Sequence, residues 1–348
     1  MHFRRLALAA LLFAGGCSSA AEPTATPSVV EGTSSAPSAS PSVQVSTSAS
    51  PSASTAKIAE SPQVAPYVDI VSGTADIAAI HKATGQSDFV VAFVVANAAG
   101  DCTPTWDGRV ALGNKTVKAS LKRIDALGGD VVVATGGATG TYLESVCSPA
   151  QLAAAYGKAL DAAGSNHLDV DIERQVDAAT ITTALAALQE ARQTAITLTL
   201  PVGDGDAGLT SSALALLRGI EKAGLTVTVN AMTMNFSADG DWGTAMTEAT
   251  EAVHDDLAGV WSGLSDKQVY GMLGVTPMIG VNDTGPVTTV SDARTLLGYA
   301  ERKGLAFVRF WSVNRDNGDC DEGSLSSTCS GVEQSDYAFT KLFAGYAE

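Results

Sequence analysis

From residue 64 onward the chain alternates runs of β-branched and other apolar residues with Ala- and Leu-rich stretches of helical period, and it does so eight times. The apolar runs are YVDIV (67–71), FVVAFVVA (89–96), DVVVATGG (130–137), HLDVDIE (167–173), AITLTLPV (195–202), VTVNAMTMNF (227–236), VYGMLGVTPMI (269–279) and LAFVRFWSV (305–313). Helical patterns such as SPAQLAAAYGKALDAAG (148–164) and DAATITTALAALQEARQT (177–194) lie between them. A strand that is apolar on both faces must be covered on both, and parallel strands joined by helices meet that need. Eight such units over residues 64–348 predict a single α/β domain, a (β/α)8 TIM barrel. A doubly wound open sheet is the alternative, but no glycine-rich dinucleotide fingerprint follows an early strand.

The residues before the barrel read differently. MHFRRLALAALLFAGGC places Arg4 and Arg5 before an apolar run too short to cross a bilayer, which predicts a signal peptide over 1–17. The small residues before Cys17 resemble a bacterial lipoprotein processing site, at which that cysteine becomes N-terminal and lipidated. Ala14 stands where a leucine is usual, and ordinary cleavage nearby is the alternative. Residues 18–63 are dominated by Ser, Ala, Thr and Pro and hold little to bury, so a disordered tether is expected there. Together these features predict an exported protein, extracellular or tethered to the cell surface.

Charge and cysteines narrow the partners. A formal net charge of -16 argues against nucleic acid and anionic membrane surfaces, leaving the lipid anchor as the only membrane contact expected. Four cysteines follow Cys17, and an even number in an exported domain predicts two disulfides. Of the three possible connectivities, the local one is expected, Cys320 with Cys329 across a Gly/Ser-rich loop and Cys102 with Cys147. No cysteine pair has the short spacing of a zinc site, and besides His167 the only histidines are His2, His81 and His254. No metal and no cofactor is expected.

The fourth run carries the chemistry. In HLDVDIERQ, Asp169, Asp171 and Glu173 alternate with Leu168, Val170 and Ile172. On a strand the three acids share one face and the aliphatics the other, with successive acids about 6–7 Å apart. Three carboxylates so close in a partly buried site cannot all ionise freely, so one holds a proton, and a proton held near neutral pH makes a general acid. A solvated edge strand and a divalent-metal site are the other readings of this nonapeptide alone. In a barrel the active site lies at the C-terminal strand ends, which places Glu173, as the last residue of its strand, at the mouth. Asp169 and Asp171 then lie deeper on the same face.

The residues resemble the family 18 glycoside hydrolases, the chitinase-like group. That family's fourth strand carries D-G-x-D-x-D-x-E. Here Asn166-His167-Leu168-Asp169-Val170-Asp171-Ile172-Glu173 matches the three acids in register and departs at Asn166 and His167. ATGG (134–137) is similar to the small-x-Gly-Gly end of the third strand, MTMNF (232–236) to the sixth-strand motif, and FWSVNRD (310–316) to the end of the eighth. VTPMIGVND (275–283) resembles the seventh strand of actinobacterial-type chitinases. The resemblance covers roughly residues 65–345.

This resemblance implies cleavage of β-1,4 bonds in chitin or another N-acetylglucosamine-containing oligosaccharide, by a retaining mechanism without a protein nucleophile. Glu173 would be the acid, Asp171 would hold the substrate's acetamido group, and Asp169 would share a proton with Asp171. Trp311 would floor the sugar subsite, with Phe93 packing in the same subsite and Gly136 and Gly137 at the end of the third strand; packing in the barrel core is the other reading of both aromatics. Trp106 would line the cleft, unless it is merely anchored by nearby Cys102. Met232 would pack against the sugar. Many relatives place Tyr-Asp where this chain has Met234-Asn235. Met234 cannot donate the hydrogen bond of a tyrosine, so Asn235 or a tyrosine from elsewhere, for example Tyr270, would have to serve. His167 is expected to fill space. The competing readings are a non-catalytic carbohydrate-binding barrel, whose members usually lack the terminal glutamate, and an endo-β-N-acetylglucosaminidase. No separate chitin-binding module is visible, which favours soluble or amorphous chains as substrate.

Overall fold

The computed structural model describes Ile58, residues 61–203 and residues 207–347. The expected signal peptide 1–17 with Cys17, and the tether apart from Ile58 and residues 61–63, lie outside the described residues.

Eight parallel strands form the barrel: β1 Tyr67–Asp69, β2 Phe89–Ala96, β3 Val131–Gly136, β4 His167–Asp171, β5 Ala195–Pro201, β6 Thr228–Met232, β7 Leu273–Val275 and β8 Phe307–Val308. Each pairs in parallel with the next. The ring closes between β8 and the segment entering β1, where Val64 bridges to Val308 and the Tyr67 N–H donates to the Phe310 carbonyl at 3.0 Å. Closure removes the sheet edges that an open sheet would leave unpaired.

Alternation along the strands sorts the side chains into two layers. Val133 of β3, Leu168 and Val170 of β4, and Leu198 and Leu200 of β5 point outward into the layer shared with the helices, and all are fully buried. Helix Pro149–Ala163 meets them with Leu152, Ala155, Tyr156, Ala159 and Leu160; the proline that opens it and the Ser148–Gln151 capping box fix where it starts. Helix Ala178–Arg192 follows β4 and buries Ile181, Ala184, Leu185 and Leu188. Each such aliphatic contributes about 1.5–3 kcal/mol by burial, and truncating Leu168 or Leu198 to alanine is expected to cost about 2–5 kcal/mol. The inward layer near β1–β3 holds Tyr67, Val90, Ala92, Val132 and Ala134. The inward face of β4 instead carries the acids.

Two short hairpins decorate the C-terminal rim. Pro104–Trp106 pairs antiparallel with the end of β2 and with Val110–Ala111, and Gly280–Val281 pairs antiparallel with Val287–Thr288. Cys102 bonds to Cys147 and Cys320 to Cys329, the expected pairing.

Three expectations are corrected here. Strand β4 ends at Asp171, so Glu173 stands two residues past the ladder. The seventh run splits, because Val269 and Tyr270 belong to helix Asp266–Tyr270 and only Leu273–Val275 enter the sheet. Trp106 does not line a cleft: the hairpin folds back on β2, with Trp106 opposite Val94, and its indole is 0% exposed within the outer core.

Candidate active site

Depth grades the three acids. Asp169 is 0% exposed and accepts hydrogen bonds from the Tyr67 hydroxyl at 2.5 Å and the Thr199 hydroxyl at 2.6 Å. Asn230 of β6 donates to both of those hydroxyl oxygens, at 3.2 and 3.0 Å, and its own carbonyl accepts from Thr276 at 2.9 Å. Burial pushes the Asp169 carboxyl up, against the opposing pull of Arg309 and the two hydroxyl donors. Asp171, 4% exposed, has one carboxylate oxygen without a hydrogen-bond partner. Burial first, and then the neighbouring charges of Glu173, Asp169 and Glu144, hold Asp171 well above the usual carboxylate range. Glu173 is half-buried and is also raised, by burial, with Arg174 opposing and Asp283 adding to the shift.

The end of β3 fixes where Glu173 stands. The Glu173 N–H donates to the Tyr142 hydroxyl at 3.0 Å, and that hydroxyl donates to the Gly137 carbonyl at 2.8 Å. Gly137 N–H in turn reaches the Asp171 carbonyl at 3.2 Å. Gly136 and Gly137 have φ of +86° and +83°, and a Cβ at Gly136 would lie 1.9 Å from the Asp171 carbonyl oxygen. A Cβ at Gly137 would lie 2.8 Å from the Phe93 ring. Neither glycine lines the cavity; both let the β3 backbone approach β4 and the aromatic floor.

A cavity of about 220 Å³ opens above this row, and Asp171 and Glu173 both line it. Its floor is aromatic, with the Phe93 and Trp311 rings stacked at 5.5 Å and 24° and Tyr67 at 6.0 Å from Trp311. Met232, Met234 and Met278 form one wall, packed on Trp311. Asn235 and Asp283 form the rim: Asn235 donates to the Asp283 carboxylate at 3.0 Å and accepts from the Asp283 N–H at 2.9 Å. Two wider concavities, of about 780 and 610 Å³, lie at the N-terminal strand ends around Phe307 and around His167, away from the paired acids at the mouth.

The structure thus brings together Asp169, Asp171, Glu173, Trp311, Phe93, Met232, Met234 and Asn235. It leaves out Trp106, and it leaves out Tyr270, whose hydroxyl donates to Glu251 at 2.8 Å while its ring stacks on His254 at 3.9 Å. Among the described residues no group of three or more His, Cys, Asp or Glu is placed to hold a metal ion. Tyr67, Tyr142, Thr199, Asn230, Thr276, Met278 and Asp283 join the site without having been singled out in the sequence. Thr199 and Asn230 carried a readable signal, as polar residues at inward positions of otherwise apolar strands.

No family model matches the chain. "Probable bifunctional chitinase/lysozyme" of Escherichia coli strain K12 is 32% identical over 311 residues, 82% of this chain and 34% of that protein. "Endochitinase 11" of Metarhizium anisopliae is 31% identical over 274 residues, 72% of this chain and 52% of that protein. The chain therefore spans about a third and about half the length of these two curated relatives. The crystal structure of the catalytic domain of a hyperthermophilic chitinase from Pyrococcus furiosus matches with a TM-score of 0.75 at 31% identity, over 82% of this chain and 95% of that domain. The chain belongs to glycoside hydrolase family 18. The three acids of the fourth run and Trp311 from the end of the eighth meet at this one mouth. After the sixth strand, Met234 lines the cavity, and the wall there is thioether rather than hydroxyl.

Proposed function

We propose that this protein is a chitinase-like hydrolase that cleaves β-1,4 bonds between N-acetylglucosamine residues by substrate-assisted, retaining catalysis. The observation that carries the reading is the grading of the acid row: Asp169 sealed and hydrogen-bonded, Asp171 at the cavity floor with a free oxygen, and Glu173 at the opening. Glu173, whose carboxyl is raised by burial, gives its proton to the glycosidic oxygen as that bond breaks. The acetamido carbonyl oxygen of the same sugar attacks the anomeric carbon and forms an oxazolinium ion. Asp171 accepts the acetamido N–H and stabilises the positive charge, while Asp169 beneath tunes the charge of Asp171. Glu173, now ionised, takes a proton from water, which opens the intermediate with net retention. Two inversions at one carbon make retention, with the substrate supplying the nucleophile.

Trp311 and Phe93 give the sugar an apolar floor for its C–H face, and the methionine wall excludes water from the reacting bond. Asn235, oriented by Asp283, supplies polar contact at the rim. The names of the relatives support chitin as substrate, and the presence of Glu173 weighs against a purely binding role. An endo-β-N-acetylglucosaminidase would use the same chemistry on a different glycan. The two disulfides support export to an oxidising compartment, with attachment through Cys17 as its finer form.

The test is release of shorter sugars from chitotetraose by residues 60–348, compared with the Glu173→Gln variant. Turnover by the wild type and a loss of about a thousandfold or more in the variant are expected. Binding without turnover by both forms would replace the hydrolase with a lectin-like barrel.

A further inference from the structure

Half of the chain's six methionines stand on one wall of the cavity. Met232 ends β6, Met234 follows two residues on with its N–H donating to the Met232 carbonyl at 2.8 Å, and Met278 bridges in parallel to Trp311. The three side chains pack together and against Trp311, and all line the cavity although 8%, 7% and 2% of each is exposed. The other two described methionines lie elsewhere: Met246 is sealed on the packed face of helix Trp242–Val260, and Met272, half-buried, packs on the outer layer. A volume of about 220 Å³ has room for several molecules the size of water, each of which takes about 30 Å³ in the liquid. A thioether fills an irregular gap as an aliphatic chain does, but its sulfur carries lone pairs that react with peroxides. The space offered to the sugar therefore concentrates the side chains that a small oxidant entering by the same mouth would modify.

We propose that Met232, Met234 and Met278 form an oxidation site, at which hydrogen peroxide entering the cavity converts thioether to sulfoxide and shuts the sugar subsite. The sulfur lone pair attacks one peroxide oxygen and the O–O bond breaks. That oxygen stays on sulfur, and the other leaves as water with both protons. Methionine gives up two electrons and the peroxide accepts them, so no further reactant is needed. A sulfoxide oxygen is a strong acceptor, and burying it without a partner is costly. The wall is apolar and closed behind by Trp311, so the new oxygen turns into the cavity, where it stays hydrated and takes space from the sugar. What this does to turnover rests on the hydrolase reading above: the substrate loses its apolar wall and KM rises, while Asp171 and Glu173 remain in place. Reduction of the sulfoxide returns the thioether, so the loss is reversible.

The experiment treats the full-length protein with dilute hydrogen peroxide, maps sulfoxide by mass spectrometry of its peptides, and follows kcat/KM on chitotetraose. Sulfoxide should form at the three wall positions in the folded protein while Met246 stays a thioether, and kcat/KM should fall about tenfold or more in step with it. Chitotetraose should slow oxidation of the wall and leave the rate at Met272 unchanged. The variant Met232→Leu/Met234→Leu/Met278→Leu should keep most of its own starting activity through the same treatment, whereas Met272→Leu should lose activity as the wild type does. A wall that stays reduced until the protein unfolds, oxidising only together with Met246, overturns the proposal. An equal loss of activity in the triple variant overturns it too. If the triple variant does not fold, protection in the wild type decides: wall oxidation unslowed by chitotetraose at concentrations that saturate turnover counts against the site. Oxidation of the wall, with Met246 spared, in a protein that does not cleave chitotetraose would support the oxidation site and remove the hydrolase reading.

Discussion

The backbone N–H of Glu173 is held by the hydroxyl of Tyr142 at 3.0 Å, and the same hydroxyl reaches back to Gly137 at 2.8 Å. One phenol thereby locks the end of β3 to the residue that stands beyond the end of β4. Arg174 adds to the clasp, with its guanidinium 5.2 Å from the Tyr142 ring centre and one nitrogen donating to the Gly140 carbonyl at 3.0 Å.

Tyr142→Phe keeps the buried ring and removes both hydrogen bonds, leaving the Glu173 N–H without its acceptor. One such bond is worth about 1–1.5 kcal/mol, so kcat on chitotetraose should fall about tenfold with KM little changed. Steady-state kinetics read the split. A rise in KM with kcat intact would mean that Tyr142 serves binding rather than the placement of the acid.

Charge around Glu173 should set the alkaline limb of the pH profile. Burial raises its carboxyl, Asp283 raises it further and Arg174 pulls it down. A general acid works below its pKa, so Asp283→Asn, which removes a negative neighbour, should move the alkaline limb of kcat/KM to lower pH. Arg174→Gln should move it to higher pH. Shifts in the same direction for both variants would contradict this assignment.

Trp311→Ala removes the partner of Phe93 and the support of the methionine wall. A loss of about tenfold or more in kcat/KM is expected, with most of it recovered in Trp311→Phe, which retains a flat ring. Calorimetric binding of chitotetraose to the same variants in the Glu173→Gln background separates lost affinity from lost rate.

Away from the cavity, Glu144 is a buried acid that accepts from Thr135 at 2.9 Å and Tyr156 at 2.8 Å through one oxygen, while the other has no partner. Burial raises its carboxyl against those hydrogen bonds. A group raised in the folded state contributes stability that is complete below its unfolded pKa and is lost as pH rises through the folded value. Glu144→Gln should therefore flatten the decline of Tm from acid to neutral pH, removing up to about 1.4 kcal/mol per pH unit within that window. Parallel Tm–pH curves for the two proteins would mean that Glu144 is ionised in the fold.

Much of this was legible in the residues. The eight apolar runs specify the barrel because a both-faces-buried strand has few other homes, and β2 spans the residues its run predicts. Helices Pro149–Ala163 and Ala178–Arg192 fall within two residues of their patterns because caps mark their starts. The acid row was readable from its period of two. Strand ends were not: composition does not register where the ladder stops, so Glu173 reads as a strand residue although the chain has already left the sheet. Trp106 was misplaced for a related reason, since the short hairpin that folds it inward pairs through backbone atoms that a side-chain pattern does not record. Arg309 was hidden by its neighbours, since a lone cation in FVRFW gives no sign of which inward charge it faces across the barrel.

The central claim is retention through the substrate's own acetamido group, with Glu173 as acid and Asp171 as its partner. The most direct measurement is proton NMR of the reducing ends released from chitotetraose in the first moments of turnover, before mutarotation. The account predicts the β-anomer first, with the α-anomer appearing only as the sugars equilibrate. Initial release of the α-anomer would contradict it, because inversion requires a water that attacks the anomeric carbon directly.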